Sequence, residues 1–262
     1  MGAFTNRTAL VTGGSKGIGY HIARHLAREG ASIVLVARGA EELERAAMEI
    51  SADCGVPTSY IVADLSTREG VSTLVDSVRS RDLTVDVLVN NAGFGIYDDY
   101  EKIDAEAETN MVGVNVTALT QLTREFVPGM VARRWGGVIN ISSILGYAGA
   151  PYMSTYGATK AYVLSFSYGL RAEVKPYDVR VTCVTPGSTE TNFHSRSGRS
   201  SSAQPFSMSA EKVGKLAVKG LISGKALVVP GFGNKVLAFS TRFLPRRAAA
   251  FISAKILKAR AH

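Results

Sequence analysis

At 262 residues the chain has the length of one large domain, and 46% hydrophobic against 20% charged residues supplies a sizeable core, which excludes disordered and fibrous classes. The formal net charge of +8 is unevenly spread: from Thr191 onward thirteen Lys and Arg meet the single acid Glu211. The aromatic strands and recognition helices of nucleic-acid modules are absent, Cys54 and Cys183 have neither metal nor redox spacing, and no secretion-type leader opens the chain. A cytoplasmic protein with no nucleic-acid partner is therefore expected.

In chain order, short runs rich in Val and Ile at 8–12, 32–37, 59–62, 85–89, 138–142, 179–184 and 226–229 alternate with stretches of helical period. The strand runs are mostly continuous rather than alternating in polarity, as when both faces of a sheet are covered. This predicts the α/β class: a doubly wound (Rossmann) parallel seven-stranded sheet with helices on both faces, in a single domain. The domain should span 1–230, including a substrate loop at about 188–210, with 231–262 as a basic amphipathic extension. The longest helical stretches, 104–130 and 152–175, should cover one side of the sheet and offer an oligomer surface. The Ser-rich stretch 195–209 reads as a surface loop that closes over a site.

After the first strand comes Thr12-Gly13-Gly14-Ser15-Lys16-Gly17-Ile18-Gly19, running directly into a helical stretch. Glycines there let the backbone turn sharply and approach a pyrophosphate, while the N–H groups and dipole of the next helix stabilise the anion. A loop needing positive φ would look similar; the strand before and the helix after favour the phosphate reading. At the end of the second strand, where an NAD site usually places an acid on the ribose, stand Ala37 and Arg38. Arg38, helped by Lys16, offers a cationic partner to a 2′-phosphate, so NADP(H) is the expected cofactor.

Tyr156 and Lys160 are four apart in a helical stretch and so lie on one face, one turn apart. An ammonium beside a phenol favours the phenolate and should draw its pKa toward working pH. On its own such a pair is most often a surface feature. In company with Thr12-Gly13, Gly17, Gly19, Asp64-Leu65, Asn90-Asn91-Ala92-Gly93, Asn115, Ser143 and Pro186-Gly187, all in order between Thr8 and Val229, the chain resembles the short-chain dehydrogenase/reductase family. The resemblance implies a hydride transferred from nicotinamide to a carbonyl, with Tyr156 giving the proton and Ser143 polarising the oxygen. It implies too that Lys160 holds the nicotinamide ribose and that Asn115 supports a proton-relay water. By the same carry-over Asp64 and Leu65 flank the adenine, and Asn90, Ala92 and Gly93 line the cleft. Thr191, after Pro186-Gly187, approaches the carboxamide, and Pro186, Gly187 and Thr189 count among the cofactor-binding residues. Asp64 as a helix cap and Asn90 as a partner for buried backbone remain the plainer alternatives.

His21 and His25 share a helix face without a third ligand, and no nucleophile elbow surrounds any serine, so no metal is assigned. The substrate pocket is expected among Phe94, Ile96, Leu145, Tyr147, Tyr152 and Phe193, mainly apolar, which suits an acyl, steroid or aryl ketone. A 3-oxoacyl thioester reductase is the alternative, with the basic tail as a carrier dock; a dinucleotide-binding regulatory protein without chemistry is the remote one. The family resemblance implies a dimer or tetramer. For 231–262, rich in apolar residues with seven Lys or Arg and no acid, two readings stand: peripheral contact with an anionic membrane, or packing on the core or a neighbouring subunit.

Overall fold

The computed structural model describes residues 2–190, 207–241 and 243–258. Seven strands form one parallel sheet: β1 (Thr8–Thr12), β2 (Ser32–Ala37), β3 (Thr58–Val62), β4 (Val87–Asn90), β5 (Gly136–Ile141), β6 (Val179–Val184) and β9 (Leu227–Val228). A two-stranded pair, β7 (Thr189–Glu190) with β8 (Met208–Ser209), stands apart from it. The helices are α1 (Gly17–Arg28), α2 (Ala40–Cys54), α3 (Arg68–Ser80), α4 (Ala105–Val112), α5 (Leu119–Ala132) and α6 (Ser154–Val174), then α7 (Ala210–Ile222), α8 (Phe232–Ser240) and α9 (Arg246–Lys258). Among the described residues no helix is long and apolar enough to cross a membrane.

The apolar runs have a direct structural cause. Ala9 and Val11 of β1, Ile33 and Leu35 of β2, and Val87 and Val89 of β4 join one core, together with Ile22 and Leu26 of α1, Ile50 of α2 and Leu221 of α7. Their neighbours Leu10, Val34, Val36 and Leu88 join a second core with Leu74 of α3, Leu122 and Met130 of α5, and Val174 of α6. Each of these three strands thus feeds both layers, which leaves no place in them for polar residues in alternation.

The strand order β3-β2-β1-β4-β5-β6-β9 reverses direction between β1 and β4. In open sheets of this kind a crevice opens beyond the carboxyl ends of the strands at the reversal, because successive crossovers leave in opposite directions. The predicted helix over 104–130 is present with one departure: α4 and α5 are joined by a wide turn, Gly113–Ala118, of π-helical form, which carries Asn115. After β9 the chain returns over the same end of the sheet. Leu257 of α9 is buried with Met111, Ala150, Met153 and Tyr156 in a third, smaller cluster, so the extension packs on its own chain.

Candidate active site

A cavity of about 640 Å³ opens at the carboxyl ends of β1 and β4. At one end lies the glycine turn, where Gly13 (φ 63°) and Gly17 (φ 61°) take left-handed conformations. No side chain caps the first turn of α1, so its N–H groups face the cavity, together with Ser15, Lys16 and Ile18. The turn is fastened by two residues that spacing alone does not single out. The Thr12 hydroxyl donates to the Val89 carbonyl (3.0 Å) and accepts the backbone N–H groups of Asn91 and Ala92 (3.0 Å each). Asn91 Nδ2 donates back to the carbonyls of Thr12 (2.9 Å) and Gly13 (3.1 Å).

Arg38 and Asp64, at the ends of β2 and β3, stand 3.8 Å apart, and Lys16 pairs with Glu42 of α2 at 2.9 Å. Burial raises the Asp64 pKa, but hydrogen bonds from the Ser66 backbone and hydroxyl, with Arg38 nearby, outweigh it and hold the carboxyl below the usual range. Both cations thus stand at the glycine-turn end of the cavity, each beside an acid. Leu65, Ala92, Gly93, Pro186, Gly187 and Thr189 line the cavity as expected.

Two of the cofactor expectations need correction. Gly19 does not reach the cavity: a Cβ there would lie 2.3 Å from the Gly13 carbonyl, so this glycine lets α1 lie against its own turn. Asn90 points into the molecule, where Nδ2 donates to Thr123 Oγ1 (3.1 Å) and Asn140 Oδ1 (2.9 Å), leaving its neighbour Asn91 at the cavity wall. Thr191 lies outside the described residues, as do Phe193 and most of the 195–209 loop.

At the other end of the cavity stand Ser143, Tyr156 and Lys160. Ser143 follows β5 and caps the short turn Ile144–Gly146 by accepting the Leu145 N–H at 3.2 Å; it also shares a hydrogen bond with the Tyr156 hydroxyl. Ser142, one residue earlier, instead donates to the Lys160 carbonyl at 2.6 Å and ties β5 to α6. The Lys160 ammonium donates to the Ile141 carbonyl at 3.0 Å and lies 5.6 Å from the Tyr156 ring centroid.

The expected lowering of the Tyr156 pKa is not what the protein alone shows. Burial pushes the phenol up to about 12, only partly offset by the Ser143 hydrogen bond, and the same burial pushes Lys160 down to about 8, with Cys183 opposing. Desolvation disfavours both charged forms and is the largest influence on each. Asn115 is fully enclosed and does not line the cavity. Its amide bonds the Phe94 N–H (3.1 Å), the Phe94 carbonyl (2.9 Å) and Thr159 Oγ1 (3.0 Å), which anchors the loop after Gly93.

Of the expected substrate-pocket residues, Phe94 and Leu145 line the cavity, whereas Ile96, Tyr147 and Tyr152 do not. Tyr147 turns its hydroxyl to Thr185 Oγ1 (3.3 Å). Tyr152 takes a left-handed conformation (φ 65°) with its ring tilted against that of Tyr97, centroids 5.7 Å apart, and it is the next residue, Met153, that lines the wall. Leu257 of α9 completes the apolar wall from the far end of the chain, and the Tyr97 hydroxyl donates to its carbonyl at 3.3 Å. His21 also lines the cavity, with Nδ1 buried and without a hydrogen bond.

Comparison with known proteins agrees with this geometry. Residues 7–201 match the family model described as short chain dehydrogenase. The chain is 34% identical over 192 residues to a 3-oxoacyl-(acyl-carrier-protein) reductase of Chlamydia trachomatis, covering 73% of this chain and 77% of that protein. Among solved structures, a short-chain dehydrogenase from Sphingobium yanoikuyae in complex with NADPH superposes with a TM-score of 0.83 at 31% identity, covering 90% of this chain and 93% of that one. The bulky-bulky ketone specific alcohol dehydrogenase from Comamonas testosteroni superposes with a TM-score of 0.78 at 28% identity, covering 90% and 92%.

Proposed function

The chain belongs to the short chain dehydrogenase family, and from that premise we propose that it reduces the carbonyl of a hydrophobic ketone with NADPH, Tyr156 giving the proton. The observation that carries this reading is one cavity holding a glycine phosphate cradle at one end and the buried Ser143–Tyr156–Lys160 group at the other. The cradle fits a phosphorylated dinucleotide: backbone N–H groups at the start of α1 suit the pyrophosphate, and Arg38 with Lys16 suits a 2′-phosphate. A nucleotide held there would supply a hydride for the carbonyl carbon. Ser143 and Tyr156 hold the carbonyl oxygen between two hydroxyls, and the Tyr156 proton moves to that oxygen as it gains charge. A phenol pushed up to about 12 carries its proton at neutral pH, so the resting site is loaded for reduction rather than oxidation. In this reading Lys160, which donates to the Ile141 carbonyl, would also hold the nicotinamide ribose, and Asn115 would act by anchoring the Phe94 loop.

Phe94, Leu145, Met153 and Leu257 make the substrate end apolar, in keeping with an acyl, steroid or aryl ketone and with the likeness to a bulky-ketone dehydrogenase. The likeness to the Chlamydia reductase favours a second reading, a 3-oxoacyl thioester substrate. NADPH oxidation over matched panels of free ketones and 3-oxoacyl thioesters separates the two. Tight NADPH binding with turnover of neither panel would overturn both. We further read the chain as a homo-oligomer through α5 and α6, where Tyr162 and Tyr168 are exposed; light scattering of the pure protein tests it.

A further inference from the structure

Among the described residues fifteen large hydrophobic side chains are exposed, and eight of them fall between Phe232 and Ile252. Phe232, Val236, Phe239 and Phe243 recur at intervals of four, three and four, so they share one stripe along α8 and the residues after it. Their exposures are 83, 53, 60 and 73%. The Phe239 and Phe243 rings touch, with centroids 5.1 Å apart, and the small Ala238 faces inward instead. A helix packed on a core turns its apolar stripe in; α8 turns it out. On α9, Ala249 and Leu257 are buried while Phe251 and Ile252 are exposed, with Lys255 Nζ 4.8 Å from the Phe251 ring.

Charge selects what covers this surface. From 231 to 262 the sequence carries seven Lys and Arg and no acid. In a symmetric dimer about this surface the exposed Lys235, Arg247 and Lys255 would be brought toward the same cations of the other copy, with no acid of the segment to offset them. A protein partner would need a cavity for each projecting ring, whereas a bilayer accepts aromatic side chains at its interface without one and supplies anionic headgroups for the cations. We propose that α8 and α9 form a docking surface for an anionic membrane, with Phe232, Phe239, Phe243 and Phe251 entering the boundary between headgroups and acyl chains. Because α9 also contributes Leu257 to the cavity wall, one helix faces lipid on one side and substrate on the other. This goes beyond the assignment of the reaction and does not depend on it.

The test is flotation of the full chain with vesicles of phosphatidylcholine alone and of phosphatidylcholine mixed with phosphatidylglycerol. The expected result is binding to the mixed vesicles at low salt, weakened at high salt and lost by at least about tenfold when Phe232, Phe239, Phe243 and Phe251 are all changed to Ser. None of the four lines the cavity, so NADPH oxidation and thermal melting should be unchanged in that variant. If it fails to fold, Phe239→Trp alone should show quenching by brominated lipid beyond that of the wild type, whose single tryptophan is Trp135 under Arg7. No binding of the wild type to the mixed vesicles, equal binding by the Ser variant, or no added quenching would overturn the proposal. So would a wild-type assembly that light scattering shows falling apart in the Ser variant, since the patch would then join copies of the chain.

Discussion

Replacing Lys160 with Met should stabilise the protein while ending its activity. The Lys160 ammonium is enclosed, and burial lowers its pKa from 10.5 to about 8. At pH 7 the folded chain therefore holds a charge it would hold more easily when unfolded, at a cost of about 3 kcal/mol for the 2.5-unit gap. Met keeps the length of the side chain but forfeits the hydrogen bond to the Ile141 carbonyl, a loss of about 1 kcal/mol. The net gain is about 2 kcal/mol, or roughly 4–8 °C in melting temperature for a chain of this size. Between pH 8 and 10.5 the unfolded chain binds more protons than the folded one, so wild-type stability rises with pH across that window. The advantage of the variant should accordingly be full below pH 8 and nearly gone by pH 10. Paired thermal melts at pH 7 and pH 10 measure this. A variant less stable than wild type at pH 7, or an advantage equal at both values, would refute the reasoning that desolvation dominates at this site.

Tyr156→Phe should lower turnover by about 10²–10⁴-fold with NADPH affinity retained, read by steady-state rates and a fluorescence titration. Reduction should lose kcat/KM as pH rises through about 8, where Lys160 gives up its charge, whereas the Tyr156 titration near 12 should leave no mark on the neutral range. Arg38→Asp should cost at least about tenfold in kcat/KM with NADPH and little with NADH, because it places an acid where a 2′-phosphate is proposed to sit. Gly19→Ala drives a methyl to 2.3 Å from the Gly13 carbonyl and 2.4 Å from Asn91 Nδ2, and should cost about 1–3 kcal/mol in urea unfolding together with nucleotide binding.

What could be read from the sequence follows the range over which its signals act. The strands were legible because Leu10 and Val11, or Val34 and Leu35, are neighbours in sequence yet serve opposite cores, which leaves a continuous apolar run. Some ends shifted and the short β7–β8 pair was not foreseen: β5 begins at Gly136, two residues before the expected start, because its two glycines carry no apolar signal although their backbone pairs with Val179 and Arg180. Tyr156 and Lys160 were legible as a pair one helical turn apart, but their role, and Ser143 altogether, came only through the family resemblance carried by the ordered motifs. The substrate wall was not legible. Leu257 reaches it from about a hundred residues beyond Tyr156, and Met153 lines it where Tyr152 does not. Periodicity within one element carries no information on how elements dock. The Tyr156 pKa was misjudged for a related reason: spacing reveals the neighbour but not the depth of burial.

Strands that are apolar on both faces raise a problem of alignment. In a one-sided sheet a slip by one residue would throw the hydrophobic set into water, but here a slipped strand would still bury apolar side chains on each side. Polar groups inside the sheet remove that ambiguity. Asn90 and Asn140 are direct partners in the β4–β5 ladder and bond one another, and Asn140 passes the chain of bonds on to Ser167 of α6. Beside them Asp86 receives the Thr8 N–H at the entry to β1, and Thr12 grips the Val89 carbonyl at its exit. A shift of one residue would break the Asn90–Asn140 and Thr12–Val89 bonds in the interior, at about 1–3 kcal/mol for each group left without a partner, while Asp86 would lose the Thr8 N–H and keep Arg7 and Arg133. The asparagine that does not reach the cavity thus acts as a ruler mark, keeping the two halves of the sheet, and with them the glycine turn and the Ser143–Tyr156 pair, at a single alignment.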